Sequence, residues 1–412
     1  MAEAINLETT DPYSVPLDQI DVSRPELMQT DTHWGYFARL REEDPVHYCA
    51  DSMFGPYWSI TKFHDIMEIE KNHQLFSSDP GIVLPDRPED FQTVNFIAMD
   101  PPKHDAQRKT VQGVVAPMNL AKLEGTIRSR AQAILDSLPI GEEFDWVDTV
   151  SVELTTQMLA TIFDFPFEDR RKLTYWSDMA TSGELAGGPT PEPVRRAALL
   201  ECLDYFTRLR DERMKQEQKP DLLSMLAHGK DTQDMPPMEF LGNLILLIVG
   251  GNDTTRNSIT GGVLALNENP AQYDKLRSDL SLIPNMVSEI IRYQTPLAYM
   301  RRTANEDVVF RGKQIKAGDK LAMWYVSGNR DSDAIDNPDS FLIDRAAARH
   351  HLSFGFGVHR CMGNRLAEMQ LRVLWEEIMK RFRHVEVVGD VERVQSSFVR
   401  GYAKMPVVVH PW

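Results

Sequence analysis

The sequence predicts a mainly α-helical protein with small β-sheets, built as one domain from residue 31 to 412 behind an irregular arm at residues 1–30. Three observations carry this expectation. Apolar residues recur at helical spacing through most of residues 119–217 and again from Pro236 to about Asn267, the period of a helix with one buried face. Strand-like runs are short and flank this helical middle. No Gly/Ser-rich linker, charge block or repeat divides the 412 residues, although that length exceeds an average domain. With 42 % hydrophobic residues the chain has ample material for a core.

Taken in order, Asp31 can cap a helix from Thr32 to about Glu43, which Asp44-Pro45 ends because the residue before proline avoids helical dihedrals. Val46 to Cys49 and Pro56 to Ile60 read as two strands around the Gly55-Pro56 turn. Thr61 caps the next helix, to about Asn72. Residues 77–98 carry Pro80, Gly81, Pro85 and Pro88 among apolar residues, and a loop this long in a compact domain is functional or disordered. The helical spacing then predicts helices at about 119–137, 147–163, 167–181 and 193–217, with the flexible stretch GELAGGPTPEP between the last two. Short strands are expected at 307–310, 314–316, 319–324, 384–388 and 405–409, and a last helix from about Met362 to Arg383.

A net charge of −16 and a pI near 5.2 argue against nucleic-acid binding, which needs a basic footprint. Cys49, Cys202 and Cys361 are widely spaced, which argues against a disulfide scaffold and a structural zinc site and suits a reducing compartment. The N-terminus has no basic region followed by an apolar run, so neither a signal peptide nor an anchor is expected. Leu244 to Val249, the longest apolar run near the middle, is far short of the roughly twenty residues that span a bilayer. A soluble, cytoplasmic protein without a transmembrane anchor is expected.

Four local patterns carry chemistry. Cys361 sits where a loop rich in Gly and Phe, Ser353 to His359, meets the last helix; free N–H groups and the helix dipole there favour a thiolate. That suits a single axial metal ligand, or else a buried structural cysteine beside a tight turn. His104 and Arg108 are four apart and share a helix face, where two donors can grip a carboxylate or simply lie on the surface. Val249 to Thr255, VGGNDTT, places poor helix formers mid-helix; it reads as a packing notch or as a bend made by a hydroxyl bonding back one turn. Glu289 and Arg292 are three apart on one face, a weak signal by itself.

The run from Phe354 to Gly363, FGFGVHRCMG, matches at all four fixed positions the haem loop Phe-x-x-Gly-x-x-x-Cys-x-Gly. The chain thereby resembles the cytochrome P-450 monooxygenases over about residues 30 to 412, with five motifs in that family's order. The resemblance implies the cytochrome P-450 fold, with haem b between a long kinked central helix and the Cys-loop helix. It implies Cys361 as the iron ligand, pushing electron density onto the metal, with Phe354 and Gly363 completing the loop. His104, Arg108, Arg302 and His359 would hold the haem propionates. Gly250, Gly251, Asp253, Thr254 and Thr255 match the oxygen-binding motif, where Thr254 would bond the bound dioxygen and Asp253 relay protons. Glu289, Arg292 and Arg345 would form a structural network bracing the Cys loop. The loop at 77–98 would cover the pocket, and the GELAGGPTPEP stretch would move as a lid.

Candidate pocket residues are Ile82, Leu84, Leu246, Val249, Gly250, Leu297, Ala298 and Met300. Within the family, GNRLAEMQLRVLWEE and TPLAYMRR look closest to soluble bacterial terminal hydroxylases of alkanes and fatty acids; some terpene hydroxylases carry similar haem loops. The implied activity is insertion of one oxygen atom from O2 into a C–H bond of an apolar small molecule. Hydroxylation of a terpene or other cyclic apolar substrate, or a non-catalytic haem sensor or carrier, are the alternatives. No flavin or NAD fingerprint follows a βαβ pattern, so electrons are expected from a 2Fe-2S ferredoxin and its reductase. Arg349, His350, Arg360, Arg365, Arg372, Lys380 and Arg381, with Arg108 and Lys109, would make a basic docking face.

Overall fold

A computed structural model describes residues 6–412. Its longest helix, the central helix, runs from Pro237 to Glu268, with proline in the first turn where no N–H is needed. Helices Arg171–Thr181, Ile283–Gln294 and Glu153–Phe163 pack around it. Glycines permit close approaches along it, the tightest at Gly242, where a Cβ would lie 2.1 Å from the Val94 carbonyl oxygen. A Cβ at Gly251 would lie 2.8 Å from Leu159, and at Gly261 and Gly262 it would meet Gln294 and Ile290. Gly250 faces open space. Helical hydrogen bonding continues unbroken through this stretch.

The helical middle is thus as expected, with shifted ends and one surprise. The helix expected at 147–163 starts as a wider turn, Val147–Val152, before becoming regular at Glu153–Phe163. The last helix is Asn364–Arg381, two residues shorter at each end than the apolar spacing suggested.

Among the described residues four sheets flank the helices. The largest has five strands, in the order Val46–Cys49, Tyr57–Ile60, Lys320–Met323, Met300–Ala304, Phe76–Ser77. Met300–Ala304 was not anticipated as a strand, although it pairs residue by residue with 320–323. Two adjacent arginines hide its alternation. Both are buried: Arg301 bonds Asp86 at 2.7 Å, and Arg302 faces the central cavity.

The arm expected to be irregular is fastened down. Its first five residues lie outside the described ones; residues 12–14 and 17–19 make tight turns and Pro25–Gln29 a short helix. Leu7, Val15, Ile20, Val22 and Leu27 enter a core shared with Phe37, Tyr299 and Trp324. The Tyr36 hydroxyl donates to the carbonyls of Leu7 (2.7 Å) and Thr10 (2.9 Å).

Candidate active site

The cysteine loop is held from below. Arg292 and Glu289, both fully buried, form a two-point ion pair at 2.7 and 2.8 Å. Arg345 joins the Glu289 carboxylate at 2.9 Å, and Arg292 also donates to the carbonyls of Asn329 and Pro338. Asn329 passes the brace on, donating to the Ser353 hydroxyl at 2.9 Å and accepting from the Leu352 N–H at 2.7 Å. The loop's two glycines are required by geometry. Gly355 and Gly357 have φ of +65° and +68°, and a Cβ at Gly357 would sit 2.3 Å from the Glu70 carbonyl oxygen, so no side chain fits there without strain.

The Cys361 N–H donates to the Phe354 carbonyl at 2.8 Å, three residues before the helix at Asn364. Its side chain is exposed on the cavity wall, whereas Cys49 and Cys202 are buried. The protein behind Cys361 raises its thiol pKa by desolvation, opposed by the N–H groups of Gly363 and Asn364 and by the charges of Arg108 and Arg360. Phe354 and Gly363 also line this cavity of about 410 Å³.

Arg108, Arg302 and His359 stand on the same wall. His104 is not on the wall; its ring packs edge-on against His359, centroids 4.2 Å apart. Nε2 of His104 and both ring nitrogens of His359 are buried without a partner. Burial holds both imidazoles uncharged, His359 down to about 2 with Arg302 adding to the shift. Unpartnered buried polar atoms are costly. A ligand bearing carboxylates would satisfy them and meet two guanidinium groups, and beside an open thiol these residues fit haem.

On the opposite side, Thr254 lines the cavity and its hydroxyl donates to the Gly250 carbonyl at 3.0 Å, the back-bond that the sequence suggested. Asp253 is fully buried and turns elsewhere. It accepts from Ser177 at 2.8 Å, Asn252 at 3.2 Å and Thr181 at 3.4 Å, and pairs with Arg256 at 3.3 Å. Arg256 in turn reaches Asp178 at 2.7 Å. Sequence reasoning missed these partners; only Arg256, three residues on, was within reach of a spacing argument.

Of the pocket residues, Ile82, Leu246, Val249, Gly250, Leu297 and Met300 line the cavity. Leu84 and Ala298 do not: both are fully buried in the core shared with the N-terminal arm. Each lies between neighbours that do line the cavity, Val83 and Pro85 or Leu297 and Tyr299. Successive side chains in extended backbone point opposite ways, so a run of candidates cannot all face one side.

The comparisons agree with this geometry. The family model for cytochrome P-450 matches residues 47–404. Linalool 8-monooxygenase of Pseudomonas putida is 34 % identical over 407 residues, covering 96 % of this chain and all of that protein. The methyl-branched lipid omega-hydroxylase of Mycobacterium tuberculosis is 30 % identical over 98 % of each chain. Among solved structures, cytochrome P-450-153 of Novosphingobium aromaticivorans superposes with a TM-score of 0.90 at 48 % identity, covering 95 % of this chain and 99 % of that one. A matched family model spanning most of the chain, relatives named as monooxygenases and an open cysteine facing a buried threonine-lined cavity agree: the chain belongs to the cytochrome P-450 family and is a haem- and O2-dependent monooxygenase.

Proposed function

We propose that the chain hydroxylates a linear apolar molecule, a medium- or long-chain alkane or fatty acid, at or near its terminus. The observation that carries this reading is the aliphatic surface that Ile82, Leu246, Val249, Leu297 and Met300 contribute to the cavity. Recognition there rests on buried area, about 25 cal/mol per Å2. The methyl-branched lipid omega-hydroxylase among the relatives supports it. A relative named for linalool, a terpene alcohol, supports the second reading, a terpene hydroxylase.

In this reading Cys361 is the iron ligand of a haem b, and Arg108, Arg302 and His359 hold its carboxylates, with His104 packed behind His359. The bound haem supplies the O2 chemistry. Thr254 presents its hydroxyl to the cavity and delivers protons there; Asp253 and its partners connect that hydroxyl to solvent. Substrate C–H plus O2, two electrons and two protons yields C–OH and water. The electrons come from a ferredoxin and its reductase, in the cytoplasm.

The test is product analysis with the enzyme, ferredoxin, reductase and a panel of alkanes, fatty acids, terpenes and steroids, alongside spin-state titrations. A terminal alcohol from the linear substrates is expected. Product only from cyclic terpenes or steroids overturns the substrate assignment, and no product from any substrate favours a sensor or carrier.

A further inference from the structure

Glu70 lies in the last turn of the helix Phe63–Lys71, directly beneath the cysteine loop. It is 3 % exposed, yet it lines the central cavity. Its Oε1 accepts a hydrogen bond from the Tyr325 phenol and lies 3.5 Å from Nη2 of Arg302. Its Oε2 is buried and has no partner in the protein. Among the described residues Arg302 makes only one other bond, from Nη1 to the Arg301 carbonyl at 2.9 Å. One guanidinium is therefore divided between Glu70 and whatever occupies the cavity beside it.

The groups facing Glu70 are few. Strand Met300–Ala304 contributes Arg302, and the turn at Tyr325 contributes its phenol. The cysteine loop contributes only backbone, at Gly355, Phe356 and Gly357. Lys71 points instead over the Phe356 ring, 5.1 Å away. Desolvation outweighs Arg302, Tyr325 and the Phe356 N–H and lifts the carboxyl to about 7. At neutral pH it is thus poised between a donor and an anion.

We propose that Glu70 is a proton-sharing contact of the haem: protonated, it donates through Oε2 to the carboxylate that Arg302 grips. This rests on the reading of Arg302 as a carboxylate ligand. Two carboxyl groups held by one guanidinium would share one proton, because both cannot ionise side by side without strong mutual repulsion. The sign follows from linkage. A haem carboxylate beside Glu70 raises its pKa above the value of the haem-free protein, so binding takes up a proton. Haem affinity is then greatest below about pH 7 and falls as pH rises through that value, by up to about tenfold per pH unit for one proton.

The experiment measures transfer of haem from the holoenzyme to an excess of a haem-scavenging apoprotein, from about pH 6 to about 9, the range a group near 7 spans. Wild type should lose haem more readily as pH rises. E70Q keeps a neutral donor and should retain haem with a flat profile; E70A, without a donor, should already be weaker at the acid end. Equal slopes in wild type and E70Q overturn the proposal and place the titration elsewhere, at His359 or His104. R302Q separates the underlying reading: unchanged haem retention there sinks Arg302 as a ligand, whereas a loss in R302Q with none in E70A sinks Glu70 alone. Infrared titration of the wild-type holoenzyme needs no variant. A protonated carboxyl band persisting above pH 7 is expected, and its absence overturns the shared proton.

Discussion

At the scale of single residues, the site divides its labour between two neighbours that face different ways. Thr254 touches the cavity, while Asp253 is locked among Ser177, Thr181 and Arg256. Thr254→Ala should therefore leave haem and substrate binding intact but divert reducing equivalents to peroxide. Product formed per electron consumed is the measurement; an unchanged ratio would leave the hydroxyl as nothing more than the back-bond to Gly250. The placement of Cys361, Thr254, Arg108, Arg302 and His359 on the cavity wall was legible in the sequence because each belongs to a short motif with fixed local spacing. Glu70 was not, since its partners Arg302 and Tyr325 lie more than two hundred residues away and nothing in FHDIMEIEK marks one glutamate above the other.

Elements show the same contrast. The helices around the cavity were readable because burial on one face repeats every turn, whereas the strand Met300–Ala304 was hidden by its two buried arginines. Leu84 and Ala298 were misplaced because side chains alternate along extended backbone, so neighbours of cavity-lining residues turn into the core. The Glu289–Arg292 pair reads as weak in sequence and proves fully enclosed, with the partly buried Arg345 joining it. Removing one partner of such a pair strands the other, at a cost of about 3–5 kcal/mol. Arg292→Ala should thus lower the thermal midpoint of the holoenzyme and its haem content together, since Arg292 supports Asn329 and Asn329 supports the loop. Loss of stability with full haem content in the surviving fold would disconnect the brace from the loop.

For the whole molecule, the expected basic face is partly cancelled. Arg349 pairs with Glu368, Arg372 with Glu124 and Glu376, Lys380 with Glu377, and Arg381 with Asp136 and Glu377. Arg360, Arg365 and Lys109 are exposed and form no ion pair among the described residues. Steering of an acidic ferredoxin on a chain of net charge −16 would rest on these, and is screened over about 8 Å at physiological salt. Arg365→Glu should slow stopped-flow reduction of the iron more than Arg372→Glu does, and added salt should slow it in wild type. Rates indifferent to salt and to both substitutions would move the docking site elsewhere.

The three cysteines have a use of their own. Two are sealed in packed interior, with burial pushing the Cys49 thiol up to about 12, and the third opens only onto the space haem would fill. An alkylating reagent therefore finds one accessible sulfur per empty chain and none per loaded chain. Mass spectrometry of a briefly alkylated preparation becomes a census, its singly labelled fraction equal to the cofactor-free fraction found by absorbance. A second label on native protein, or labelling of chains that carry haem, would break that count.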